Sequence, residues 1–208
     1  MSHHHLIKTN LSELRPTQFS VGYAEVIKKR AEWRALGKKK SQELIKSHWF
    51  PSILGPEGNY FIVDHHHLGV ALHEEGQETV FLTILKDLSW LNWDVFWKVM
   101  EFHQWVHPYD ERGRRKDFKN LPQHIAQLKD DPFRSLAGLA REKGAFAKDL
   151  SPFNEFLWAD YFRQHISLKM IEKSMDKSLI EAMSLAKYQK ASYLPGWIGG
   201  ENLEEKLL

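Results

Sequence analysis

The sequence predicts an α+β protein with a small N-terminal sheet and a mainly helical C-terminal half. Short aromatic and β-branched runs, typical of buried strands, occur before residue 90. Helical spacing of apolar residues dominates after it, and Asp-Pro and Ser-Pro pairs mark helix starts there. We therefore expect an α/β core over residues 1–90 and a helical extension over 91–208, packed on the core as one domain.

The first part of the chain alternates between strand and helix signals. Leu11–Leu14 is predicted to be a short first strand, because the residue before Pro16 is pushed out of the helical region. The other predicted elements here are a helix at 23–36, a helix at 41–49, an extended segment at 50–54, and strands at 60–63 and 80–85. A helix between the last two strands would complete one compact crossover unit.

The second part carries helix signals with clear starts. Asn92 can cap a helix with an aromatic face, and Asp131 followed by proline is a strong start for a helix that ends at Gly144. Ser151 followed by proline predicts another start, and a last helix is expected over 177–191. The charged segment 107–119 is predicted to be a surface loop, with a lid over a bound phosphate as the alternative.

The strongest functional signal lies in Tyr60–Leu72. Asp64 and three consecutive histidines, His65, His66 and His67, directly follow the buried strand, and helical spacing begins after them. Asp64 is predicted to be the helix N-cap, with the histidines in a first turn whose N–H groups are unpaired. Such a strand-to-helix corner attracts anions, and a bound phosphate would favour protonation of the histidines. The alternative is a structural cap with one histidine packed in the core.

The run Tyr60–Leu68, with Leu14–Gln18 and Pro51, resembles the ParB/sulfiredoxin superfamily. Its signature is a hydrophobic strand, then Asp-Gly-His-His-Arg or Gly-Cys-His-Arg, then a helix. The triple-histidine form is similar to the branch called putative ParB-like nuclease, which also shares Asp130–Leu136 and Phe156–Asp160. The resemblance implies a ParB/sulfiredoxin-like sheet with a nucleotide-binding corner, since the superfamily includes partition proteins that hydrolyse CTP, sulfinic acid reductases that use ATP, and serine kinases.

The corner pattern and the resemblance together give a set of candidate site residues. The catalytic candidates are Asp64, His65, His66, His67 and Glu25. Glu25 lies in the region where the serine kinases keep a base. The cofactor-binding candidates are Arg15, Gln18, Lys28 and Arg34; Asp64 and His66 are the metal candidates. The expected cofactors are ATP or CTP and Mg²⁺ or another divalent ion. For the basic residues of the 23–36 helix, a solvated face is the alternative to a phosphate patch.

The sequence departs from the superfamily pattern in two ways. Leu68 stands where the superfamily has an arginine, so a forked guanidinium contact to phosphate must come from elsewhere or be missing. The chain has no cysteine, which excludes the sulfinic acid reductase reaction, disulfides and thiolate-bound metals.

Three functional hypotheses follow. The first is a phosphotransferase or hydrolase acting on a nucleotide or phosphorylated small molecule; the second is a nuclease or DNA-binding protein; the third is a binding module without turnover. The formal net charge of +2 is low for a dedicated DNA binder. No apolar run is long enough to cross a bilayer, which favours a cytoplasmic protein. Met1–His5 resembles a tag, so an exported form is expected if a leader was removed.

Overall fold

The computed structural model describes residues 5–200, without the side chain of Lys38. The tag hypothesis concerns residues that lie mostly outside this range. The chain divides into two compact units, the first ending at Asp130 and the second beginning at Asp131. The predicted α+β class is confirmed, because a five-stranded sheet forms in the N-terminal part and helices fill the C-terminal part.

The first unit contains seven strands and four α-helices within the described residues. The strands are β1 (Ile7–Asn10), β2 (Leu14–Pro16), β3 (Ser20–Val21), β4 (Phe50–Leu54), β5 (Tyr60–Ile62), β6 (Thr79–Asp87) and β7 (Lys129–Asp130). The helices are α1 (Tyr23–Arg34), α2 (Lys38–Ser47), α3 (His66–Glu74) and α4 (Trp93–Phe102).

The main sheet has the strand order β1-β6-β4-β5-β2. β1 pairs antiparallel with β6 and β4 antiparallel with β5, whereas β4 with β6 and β2 with β5 are parallel. The predicted strand at Leu11–Leu14 is instead a 3-10 turn, Leu11–Glu13, between two strands. This turn carries the chain from one edge of the sheet to the other, and that long-range change leaves no local sequence signal. β3 and β7 form a separate parallel pair.

Each face of the main sheet has its own apolar core. Phe61 and Ile62 are adjacent in β5 and therefore point to opposite faces. Ile62 belongs to the core that also includes buried side chains of α1 and α3. Phe61 packs with Phe96 and Met100 of α4. The predicted α/β core ended at residue 90, whereas the first unit of the structure extends to Asp130. It includes α4 because this helix covers the second face of the sheet.

The second unit is helical. Its helices are α5 (Pro132–Glu142), α6 (Asn154–His165), α7 (Leu168–Lys173) and α8 (Met175–Leu185). Trp158 is fully buried in its core, with its ring stacked on Phe146 at 4.1 Å between centroids. The predicted last helix is shorter than expected, because it ends at Leu185 and only a 3-10 turn follows at 189–191. None of the helices among residues 5–200 is long and apolar enough to span a membrane.

The helix starts of the second half test local capping rules. Asn92 accepts from the Val95 N–H, and Asp131 accepts from the Phe133 N–H, so both predicted caps form. The predicted start at Ser151 is wrong: α6 begins three residues later, after Phe153, which has a left-handed backbone with φ 59°. The Ser151 N–H instead donates to Asp149, which closes a local turn before the helix.

Candidate functional site

The corner between β5 and α3 is built differently from the predicted N-cap. The exposed Asp64 side chain accepts the N–H of the next residue, His65, at 2.6 Å. His65 itself is the N-cap residue, with φ 65° in the left-handed region and no capping hydrogen bond from its side chain. The prediction that Asp64 caps the helix is therefore wrong. The Asp64 side chain accepts an N–H that lies one residue before the first turn. The left-handed conformation of His65 moves the helix start to His66.

His66 is buried, with 4% of its surface exposed. Its Nε2 accepts the backbone N–H of Thr17 at 3.1 Å, and the Thr17 hydroxyl donates to the Ile62 carbonyl at 2.8 Å. Burial lowers the pKa of His66 to about 3, so its imidazole is neutral at physiological pH. His66 therefore joins β2 to the corner as an acceptor, and it does not supply the positive donor that the sequence predicted for a phosphate.

His67 connects α3 to the start of α1. Its Nε2 accepts the N–H of Gly22, the residue before α1, at 3.1 Å. A neutral imidazole that accepts at one nitrogen carries its proton on the other, so Nδ1 bears the hydrogen. This Nδ1 lies 3.6 Å from Glu25 Oε2, and Glu25 Oε1 lies 3.6 Å from the Lys29 ammonium. The structure thus brings the candidates Glu25 and His67 together and adds Lys29 to them.

His65 lies partly buried beside two other rings, with its centroid 6.3 Å from His48 and 6.1 Å from Phe50. Burial lowers the pKa of His65, and the nearby Asp64 carboxylate acts in the opposite direction. Its Nδ1 is buried and has no hydrogen-bond partner among the residues that the structure describes.

The four cofactor-binding candidates do not gather at the corner. Arg34 forms an ion pair of 2.7 Å with Glu75, which follows the far end of α3. Gln18 is buried and donates to the Ser20 carbonyl, and Lys28 is exposed on α1. Arg15 lies over the Phe61 ring at 5.9 Å, against the second core of the sheet.

The sequence analysis included Thr17 only in a longer motif and Lys29 only among the basic residues of a helix, and it did not consider Gly22. The i, i+4 spacing of Glu25 and Lys29 on a predicted helix is a signal that would have paired them. The contact of Thr17 with His66 spans 49 positions, and no local pattern indicates it. Thr17 and Gly22 supply the backbone N–H groups that His66 and His67 accept, and Lys29 supplies the cation beside Glu25.

The predicted metal pair does not fit a metal ion in this arrangement. Among residues 5–200, no group of three His, Asp or Glu side chains is placed to hold one. His66 Nε2 accepts from Thr17 and one Asp64 oxygen accepts from His65, so a metal bound by both side chains would compete with these bonds.

Asp64 variants test the revised role of this residue. We expect Asp64→Ala to lower the free energy of unfolding by about 1 kcal/mol, because it removes both a hydrogen bond and a negative charge before the positive end of α3. Asp64→Asn keeps the acceptor oxygen and should lose less than half as much. Urea unfolding of the two variants measures the difference, and equal losses would contradict the hydrogen-bond assignment.

Comparison with known proteins identifies the family of this chain. The family model described as "Putative ParB-like nuclease" matches residues 7–164, and the chain belongs to this family. It is similar to a solved structure, the crystal structure of protein Atu1540 from Agrobacterium tumefaciens, with 41% sequence identity. The match covers 97% of this chain and 100% of that chain, with a TM-score of 0.90. A search of curated proteins found no match. The family expected from the corner motif is thereby confirmed.

Proposed function

We propose that this ParB-like protein binds the phosphates of a nucleotide beside the first turn of α3 and transfers or hydrolyses the terminal phosphate. The observation that carries this proposal is the position of the Glu25 carboxylate between His67 and Lys29. A carboxylate of this kind can accept the proton of an attacking hydroxyl or water. The adjacent ammonium and the helix N-terminus both favour negative charge.

Each residue of the corner would have a different role in binding or proton transfer. Lys29 would contact the phosphate and Glu25 would take the proton, while His67 keeps Glu25 in place from the α3 side. His66 would position the β2 segment without titrating, because its Nε2 is already an acceptor for Thr17. ATP or CTP is the expected nucleotide. A divalent ion such as Mg²⁺ would screen charge on the phosphates, which are its usual ligands in nucleotide sites.

Calorimetric titration with ATP and CTP, each in the presence of Mg²⁺, tests the proposal. We expect the wild-type chain to bind one of them and Lys29→Ala to weaken this binding about tenfold, because a charge-assisted contact to phosphate is lost. Lys39→Ala is the matched control, since it removes an exposed lysine from α2. Wild-type protein that binds neither nucleotide, or equal losses in the two lysine variants, would contradict a phosphate site at the corner.

The family description favours a nuclease as the second candidate function. The same base could activate water at a phosphodiester, so the substrate decides between the two candidates. Labelled DNA and RNA strands incubated with the protein and Mg²⁺ provide the assay. Cleavage that disappears in Glu25→Gln would assign the corner to nucleic acid, whereas hydrolysis of free nucleotide without strand cleavage would assign it to phosphotransfer.

A further inference from the structure

Two cavities adjoin each other in the first unit, away from the histidine corner. One has a volume of about 600 Å³ and is lined by Arg15, Phe61 and aromatic residues of α4. The other has a volume of about 730 Å³ and is lined by the segment around 110–129. Residues Lys119, Leu121, Pro122 and Gln123 line both cavities, so the two are parts of one cleft. We call them the aromatic cavity and the basic cavity.

The aromatic cavity is walled by rings with defined orientations. Trp97 is stacked on Phe118, with 5.2 Å between ring centroids and 10° between planes. Phe61 meets the Trp97 edge at 5.3 Å, and Trp93 lies 6.3 Å from Trp97 in a stacked arrangement. These rings are held by packing within the second core. The Arg15 guanidinium lies over Phe61 and adds a planar cation, while Asp94 and Asp117 place two carboxylates on the rim.

The basic cavity carries an excess of positive charge. Two carboxylates, Asp110 and Glu111, line it together with five cationic side chains, which are Arg112, Arg114, Lys116, Lys119 and Lys129. Asp110 accepts the backbone N–H groups of Arg112 and Arg114, which shapes the loop. In the part of the chain that the structure describes, no carboxylate lies within ion-pair distance of the Arg114 guanidinium. This cation is exposed and available to an external anion.

We propose that this cleft binds single-stranded nucleic acid, with a base stacked in the aromatic cavity and the adjoining phosphates in the basic cavity. Aromatic platforms beside a positive groove are the usual means of holding unpaired strands, because every base has a face that can stack. A duplex keeps its bases stacked inside and cannot offer one to the aromatic cavity. The basic cavity extends beyond a single phosphate, which favours a strand over a free nucleotide.

This proposal is independent of the phosphate site at the corner. The aromatic cavity uses the Phe61 side chain, whereas α3, the helix that starts at the corner, packs with the side chain of the neighbouring Ile62. Adjacent residues of a strand face opposite sides of a sheet, so the cleft and the corner lie on different faces. Loss of one function therefore need not affect the other.

Fluorescence anisotropy with a labelled oligo(dT) of about 12 nucleotides, a length within the range of known single-strand sites, tests the proposal. We expect the wild-type chain to bind this strand more tightly than a duplex of the same length. Phe118→Leu should weaken single-strand binding about tenfold, since the ring that stacks on Trp97 and forms one wall of the aromatic cavity is lost. Arg114→Ala combined with Lys119→Ala should lower the slope of log affinity against log salt by about 1.4, the loss expected for two phosphate contacts.

Two control variants match these changes outside the cleft. Phe102→Leu alters an exposed ring of α4, and Lys39→Ala combined with Lys40→Ala removes two exposed lysines of α2. Neither should change oligonucleotide binding. Glu25→Gln should also keep it, which separates this result from the proposed chemistry at the corner. If Phe118→Leu does not fold, the double variant at the exposed Arg114 and Lys119 still tests the proposal.

Photo-crosslinking locates the bound base directly. An oligonucleotide that carries 5-iodouracil couples to aromatic side chains on which it stacks, and we expect coupling at Trp93, Trp97 or Phe118. The proposal is overturned if the wild-type chain binds no single strand, if duplex binds as tightly as the single strand, or if mononucleotides compete as well as the oligonucleotide does per site. Equal losses in the cleft variants and their controls would overturn it too.

Discussion

Glu25→Gln should lower the turnover of nucleotide hydrolysis or transfer by about 10²- to 10⁴-fold, the range for loss of a general base. The amide keeps the size of the side chain and an oxygen near the His67 Nδ1, but it cannot take up a proton. KM should change little, because the lost interaction is needed in the transition state and not for binding. Steady-state phosphate release with the nucleotide that binds in calorimetry measures both quantities.

Glu32→Gln is the matched control for this variant. Glu32 lies on the same helix, α1, and is exposed. Wild-type kinetics in Glu32→Gln, together with the loss in Glu25→Gln, would assign the effect to the corner carboxylate. Equal kinetics in the two variants would remove Glu25 from the mechanism, and a lower melting temperature in Glu25→Gln alone would point to its ion pair with Lys29 instead.

The sequence predicted the elements whose signals are local. Tyr60–Val63 has the composition of a buried strand, and the structure places β5 there. The Asn92 and Asp131 caps form because an Asn or Asp side chain reaches an N–H only two or three residues along the chain. The strand-to-helix corner was likewise predictable, since apolar residues at helical spacing follow the buried strand closely.

The roles within the corner were less predictable because they depend on distant partners. His66 and His67 are adjacent and look equivalent in sequence, yet one accepts from Thr17 and the other from Gly22. Which backbone donor each ring meets is decided by the packing of β2 and α1 against α3. Asp64 was assigned as the cap because its residue type suits that role, but the left-handed conformation of His65 moves the helix start by one residue.

The cleft on the other face of the sheet was also only partly predictable from the sequence. Its basic segment was predicted to be a surface loop, and its rings were predicted to be a packed helix face. Both predictions describe the local conformation, but neither indicates that Phe118 stacks on Trp97. A cavity between a loop and a helix requires their relative position, and hydrophobic periodicity does not contain that information.

We expect the burial of His66 to lower the stability of the protein in acid. His66 has a pKa of about 3 in the folded chain and an ordinary value near 6.5 when unfolded, so the unfolded state binds an extra proton between these values. Its contribution to stability is complete above pH 6.5 and is lost progressively as pH falls toward 3. The expected loss is about 1.4 kcal/mol per pH unit, on the order of 5 kcal/mol across the window.

Carboxylates also titrate in this window, so the effect of His66 is measured as a difference between two proteins. His66→Gln keeps an acceptor for the Thr17 N–H but binds no proton, and its unfolding free energy should fall less steeply with acid than that of the wild type. His73→Gln, at an exposed position of α3, is the control for loss of a histidine. Urea unfolding at pH 7, 6, 5 and 4 provides the slopes, and parallel profiles for the wild type and His66→Gln would show that this imidazole accepts a proton without unfolding. In that case protonation would have to break the Thr17 bond locally, and the β2 segment would be released from the corner before the rest of the unit unfolds.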